Sequence, residues 1–202
     1  MEQAPASGRR TFPFHFLTAT NTESSDFAEE FPDCQVIGTD VSPIQPTWVP
    51  PNVKLYPLSP PLPPIIYHII NTASEIDDCT SPWTYDPNTF DYVHIRWMVG
   101  SIPSWDDLFA QAFRVLKPGG YVESWEPGDI IFSDDGSVKP TDALGQWSSL
   151  FREGGKKIGR SFSIYDEDLQ GRGIKGAGFV DIETRHFTVS SVFGIQRWGG
   201  GG

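Results

Sequence analysis

The stretch from Phe90 to Pro127, FDYVHIRWMVGSIPSWDDLFAQAFRVLKPGGYVESWEP, decides how the chain folds. Asp91 to Arg96 is a short run with β-branched and aromatic residues, the composition of a buried strand. Ser104 is a good helix N-cap, and Asp107 stands three places on, where a shortened capping box would close. Leu108, Phe109, Ala112, Phe113 and Leu116 then recur at helical spacing and predict one apolar helix face. Lys117-Pro118-Gly119-Gly120 predicts the stop: Pro removes a donor, and Gly takes the positive φ favoured past a helix end. Tyr121 to Trp125 is the returning strand. Strand, helix and strand over this span predict a right-handed βαβ unit with parallel strands.

Upstream of this unit, Gln35 to Thr39 reads as a strand with Asp40 at its carboxyl end. Phe27, Ala28 and Phe31 line one side of a helix that Ser24 or Ser25 would cap. Thr11 to Thr20 is apolar, but Pro13 confines it to an edge strand or a strand start. Val53-Lys54-Leu55 opens a strand that is interrupted by a Pro-rich insertion, residues 56–74. Removing the insertion joins Leu55 to Glu75-Ile76-Asp77-Asp78 as one short strand. The insertion therefore reads as translated non-coding sequence, beside two other readings, a polyproline ligand and a surface insertion. Downstream, Asp134-Asp135-Gly136 marks a turn, and Thr141 or Asp142 caps a helix through about Lys157. Glu167 to Ala177 predicts a helix closed by Gly178, although Gly171 and Gly173 weaken it. Phe179 to Ser190 alternates as a strand does. Residues 1–23 read as poorly ordered, 24–190 as one domain, and 191–202 as a disordered tail.

The length of 202 residues fits one domain with a real core. Fifteen basic against 26 acidic residues give a net charge of −11 without a basic cluster, which argues against general nucleic-acid binding. No apolar run approaches membrane-spanning length and no signal-peptide core is visible, so the expected setting is intracellular, cytoplasmic or nuclear. Cys34 and Cys79 are isolated, and no metal site is predicted. Alternating strands and helices predict a parallel sheet whose ligand lies at the carboxyl ends of the strands. Those ends carry Asp40, Asp77-Asp78, His94-Ile95-Arg96-Trp97 and Glu123-Ser124-Trp125-Glu126. Such a rim suits a nucleoside, since an acid at the end of the second strand accepts ribose hydroxyls. It does not suit the phosphates of NAD or ATP, which want basic groups or helix N-termini. S-adenosylmethionine has a ribose, no phosphate and a sulfonium that Trp97 and Trp125 can face.

The stretches Phe31 to Pro46, Val49 to Val53, Glu75 to Cys79 and Phe90 to Pro127 resemble fungal class I S-adenosylmethionine-dependent methyltransferases. Within these the likeness is greatest to the group related to the velvet-complex regulator of secondary metabolism. Ala143 to Trp147, Glu153 to Arg160 and Ala177 to Ile182 extend it, so it runs from Asp26 to about Val189. The resemblance implies a Rossmann-like, three-layer α/β/α sheet of seven strands. It implies Asp40 on the cofactor ribose, Asp77 and Asp78 near the adenine, and His94, Ile95, Arg96 and Trp97 on the methionine and substrate side. His94, Glu123 or Glu126 is the candidate base for an unknown small-molecule or protein methyl acceptor, with a velvet-type protein as a possible partner. The chain departs from the family before Asp26. Where a Gly-x-Gly-x-Gly turn belongs, it has Leu17-Thr18-Ala19-Thr20-Asn21-Thr22-Glu23, and no glycine lies between Gly8 and Gly38. The expected sheet is therefore incomplete at its first strand and at the C-terminus, as in a degenerate or mis-spliced copy. A non-catalytic remnant or interaction module is the alternative reading.

Overall fold

The computed structural model describes residues 14–18, 27–39, 53–55, 78–128, 133 and 135–187. Within them, five strands form one sheet: β1 Phe14–Thr18, β2 Cys34–Gly38, β3 Val53–Leu55, β4 Phe90–Arg96 and β5 Leu116–Trp125. Their order is β3-β2-β1-β4-β5, and every neighbouring pair is parallel. The helices are α1 Trp105–Val115, α2 Ala143–Ile158 and α3 Leu169–Ala177, with one further helical turn at residues 27–30. The strand order reverses between β1 and β4, and that switch point opens a crevice at the carboxyl ends.

Alternation along β4 sends Val93 and Ile95 to one face and Tyr92, His94 and Arg96 to the other. On the first face Val93 and Ile95 join Ile37 and the α1 residues Trp105, Leu108, Phe109, Ala112 and Val115 in the main core. On the second face Ala28, Cys34 and Val36 form a smaller cluster, with Phe27 and Tyr92 packed against it. Helical residues thus cover both faces, the three-layer α/β/α arrangement expected. The first helix begins as its sequence dictates: the Ser104 hydroxyl accepts the Asp107 N–H at 3.2 Å. Asp106 and Asp107 lie in its first turn and Arg114 in its last, the charge order the helix dipole favours. Gly173, read as a weakness of α3, is a packing requirement. A Cβ there would lie 2.7 Å from the Phe109 ring, so glycine lets α3 approach α1.

Four expectations are corrected. The first strand is central rather than an edge: β1 pairs with β2 over Phe14–Thr18 and with β4 over Phe16–Thr18, while Pro13 lies outside the described residues. The Lys117-Pro118-Gly119-Gly120 stop belongs to β5, since α1 already ends at Val115. Leu116 pairs with Phe90 and Tyr121 with Tyr92, so residues 117–120 bulge opposite Asp91, and Lys117 donates to the Asp91 carboxylate at 2.7 Å. Asp78 does not end a strand. It sits in an exposed turn, and its Oδ1 accepts from the Thr80 N–H and hydroxyl at 2.9 and 2.7 Å. Residues 179–187 alternate but form no strand. Their contacts include two ring pairs, Phe179 on Phe113 and Phe187 stacked on Trp125, and alternation without a pairing strand among the described residues makes no ladder. The Pro-rich insertion, the N-terminal residues 1–13, the proposed caps Ser24 and Ser25, and the tail 191–202 lie outside the described residues.

Candidate active site

Sheet register builds the crevice wall. Thr18, the last residue of β1, pairs with His94, and His94 pairs with Glu123. His94 therefore stands level with the end of β1, at the mouth of the crevice. Paired residues of parallel strands point to the same face, which gathers Tyr92, His94, Glu123 and Trp125. Glu123 Oε2 accepts from His94 Nδ1 at 3.0 Å and from the Tyr92 hydroxyl. The His94 bond, with Tyr92 and Trp125 as further donors, outweighs burial and holds Glu123 down at about 2. Burial, and then the Glu123 bond and charge, push the Tyr92 hydroxyl well above its usual range. Both donors thus face an ionised carboxylate. A carboxylate only accepts, so His94 carries its hydrogen on Nδ1 when neutral, which makes Nε2 the acceptor nitrogen of the ring.

Glu126, three residues on, is placed differently. Its two oxygens accept the Met98 and Val99 N–H groups at 3.0 and 2.8 Å, while the Trp97 N–H donates to the Trp125 carbonyl at 3.1 Å. The loop after β4 is thereby pinned to the end of β5, with Trp97 exposed and at a positive φ of 57°. Burial raises Glu126 to about 7 against the pull of those two N–H donors. The two glutamates differ because Glu123 has charged or polar side-chain donors and open solvent, whereas Glu126 has only backbone donors in a drier place.

Among the sequence-predicted residues, His94, Glu123 and Arg96 share the crevice face. Ile95 is turned the other way, buried in the main core. Asp78 is exposed on its turn. Asp40 and Asp77 lie outside the described residues, as does the 19–23 segment where a glycine turn was sought. Sequence reasoning missed Tyr92, although period-two alternation from His94 points to it. Burial and the nearby Asp91 charge push the Cys34 thiol up to about 12, so it stays protonated and inert at neutral pH. Among the described residues, no cluster of three His, Cys, Asp or Glu side chains is arranged to hold a metal ion, and no helix is long and apolar enough to cross a membrane.

Residues 18–184 match the model of a family described as a methyltransferase domain. The chain is 29% identical over 154 residues to the methyltransferase pytC of Aspergillus terreus, covering 76% of this chain and 41% of that protein. It is 28% identical over 159 residues to the secondary metabolism regulator LAE1 of Cochliobolus heterostrophus, covering 78% of this chain and 45% of that protein. The chain thus spans less than half the length of these curated relatives. A solved structure of phosphoethanolamine N-methyltransferase 2 from Haemonchus contortus, in complex with phosphomonomethylethanolamine and S-adenosylhomocysteine, has the same fold. It superposes with a TM-score of 0.50 at 22% identity, over 87% of this chain and 36% of that one.

Proposed function

The chain belongs to the methyltransferase-domain family, and from that membership we propose that it transfers a methyl group from S-adenosylmethionine to a small-molecule or protein acceptor in fungal secondary metabolism. The observation that carries this reading is the ionised Glu123 at the switch-point crevice, inside the span that matches the family. The donor set fits the cofactor. A carboxylate held ionised and the exposed indoles of Trp97 and Trp125 suit a sulfonium cation, and among the described residues no basic cluster lies there to take a pyrophosphate. Asp40 on the ribose hydroxyls and Asp77 and Asp78 near the adenine complete the proposed contacts.

When bound, S-adenosylmethionine supplies an electrophilic methyl on a good leaving group. The chain's own contribution is positioning and proton transfer. His94 Nε2 takes the proton from the acceptor's nucleophilic atom. Glu123 fixes the imidazole tautomer and offsets the charge that forms, and Tyr92 holds Glu123 in place. Glu126 acts one step removed, by shaping the loop that presents Trp97. Among the three candidate bases, His94 is favoured because both Glu126 oxygens are engaged and Glu123 is too weak a base near 2. An intracellular location, cytoplasmic or nuclear, and a velvet-type protein partner belong to the same reading.

Calorimetry with S-adenosylmethionine and S-adenosylhomocysteine tests it. The expected result is saturable binding of both, weakened when Asp40 is changed to Ala. Absence of heat at millimolar cofactor sinks the proposal and leaves the non-catalytic remnant. Rescue by glycines placed at Thr18 to Thr22 would then trace the failure to the turn after β1.

A further inference from the structure

A cavity of about 440 Å³ opens between the end of α2 and the segment that follows it, lined by Arg152, Lys156, Arg160, Phe162, Asp166 and Glu167 among others. Its Phe162 wall meets the loop after β4. Gly100 has a φ of +73°, and a Cβ there would lie 2.1 Å from the Phe162 ring, so the two segments touch only because residue 100 is glycine. The cavity therefore adjoins the carboxyl edge of the sheet without being part of the His94 site.

Its charges are unequally used. Asp166 accepts from Arg152 Nη2 at 2.7 Å, Glu167 accepts from the Ser161 hydroxyl at 3.0 Å, and Lys156 donates to Glu153 at 2.8 Å. Arg160 differs: its Nη1 is buried and has no hydrogen-bond partner. Asp78 interacts with the Arg160 charge only through space. A buried guanidinium N–H without an acceptor is costly, and arginine cannot shed its proton to escape that cost. The negative end of α2 lies nearby, but the Gly155 carbonyl there already accepts from the Gly159 and Arg160 N–H groups. A charge-assisted bond to an ionised ligand outweighs the residual dipole.

We propose that this cavity binds an oxyanion, a carboxylate or phosphate group, through Arg160 with Arg152 and Lys156 beside it, and that it anchors the acid group of the methyl acceptor. The anchoring role rests on the methyl-transfer reading; the oxyanion site does not.

The test is an amide-shift NMR titration of the full chain with sodium phosphate and, separately, sodium acetate, at constant ionic strength and without cofactor. The expected result is saturable shifts at Arg160 and Ser161, with the tighter probe naming the ligand class. Arg160→Gln weakens binding by about tenfold or more, because it removes a charge-assisted donor. Asp166→Asn tightens binding several-fold by removing the acid paired with Arg152. Lack of saturation by either probe at tens of millimolar overturns the site, as does an Arg160→Gln chain that titrates like the parent. If Arg160→Gln does not fold, the Asp166→Asn arm decides alone, and unchanged or weaker affinity overturns the site. Phosphate binding by a chain that takes no S-adenosylmethionine keeps the oxyanion site and sinks the anchoring role.

Discussion

Among the described residues, the two halves of the sheet, on either side of the switch point, are built to different standards. The β4–α1–β5 half holds the main core, a capped helix and the hydrogen-bonded carboxylates Glu123 and Glu126 of the crevice. Arg114 also ties α1 to the preceding loop through the Trp83 and Tyr85 carbonyls, each at 2.7 Å. The β1–β2–β3 half has a cluster of three buried residues, Ala28, Cys34 and Val36, and its outer strand is three residues long. The proton transfer proposed at His94, which depends on side chains held to a fraction of an ångström, falls on the half that can hold them. Cofactor contacts made through backbone would fall on the other half, where the residues after Thr18 lack glycine.

The largest expected effect tests that inequality directly. Phe109 is fully buried between the sheet and α3, and Phe109→Ala should cost about 3–5 kcal/mol by urea denaturation. Val36 is as fully buried but loses fewer atoms into a smaller cluster, so Val36→Ala should cost about 2 kcal/mol. Equal costs would erase the difference between the halves. His94→Gln asks whether the better-built half also does the chemistry. Release of S-adenosylhomocysteine should slow by about a hundredfold or more, the usual loss of a general base, with cofactor affinity unchanged. A parallel loss of cofactor affinity would move His94 from proton transfer to binding.

Much of the stronger half was legible in residues 90–127. Ser104, the 108–109–112 spacing and the β4 alternation each state their structure locally. The errors there came from residues whose meaning is tertiary. Lys117 to Gly120 carry the local chemistry of a helix stop, yet they form a bulge because β5 must come back into register with β4. Gly173 looked like a flaw because helix propensity cannot foresee the Phe109 ring. In the weaker half, Pro13 counted against Phe14 to Thr18, yet that strand is central, because its place in the sheet is set by β2 and β4, which lie far away in sequence. The site was half legible. Carboxylates at strand ends could be listed, but only register shows that Glu123 meets His94 and Tyr92 while Glu126 turns to the loop.

Those two glutamates give a smaller effect with a definite sign. Glu126 is raised to about 7, so its contribution to stability is fully present below its ordinary value of 4.5 and is lost as pH rises through 7. Between pH 5 and 7.5, thermal melts of the parent should fall by about 2 kcal/mol relative to Glu126→Gln, which cannot ionise. Glu123 runs the other way. Held near 2, it supports the fold above its ordinary 4.5 and lets go as pH drops through 2, weakly because it is half exposed. Parallel pH profiles for parent and Glu126→Gln would mean that Glu126 is not held above its ordinary value.

The smallest expected effect concerns how α1 starts. Ser104 supplies one side-chain acceptor to the four N–H groups that open the helix, and Ser104→Ala should cost about 1 kcal/mol. Trp105 and Leu108, at that same end, are both buried in the main core, so fraying there is coupled to global unfolding. The loss should therefore appear as a lower urea midpoint with an unchanged slope. A loss confined to faster amide exchange at residues 105–108, with the midpoint unmoved, would show that this end opens by itself. The carboxyl edge of β4, joined to α1 by the loop that presents Trp97, would then rest on β1, β5 and the Glu126 clamp without help from the start of α1.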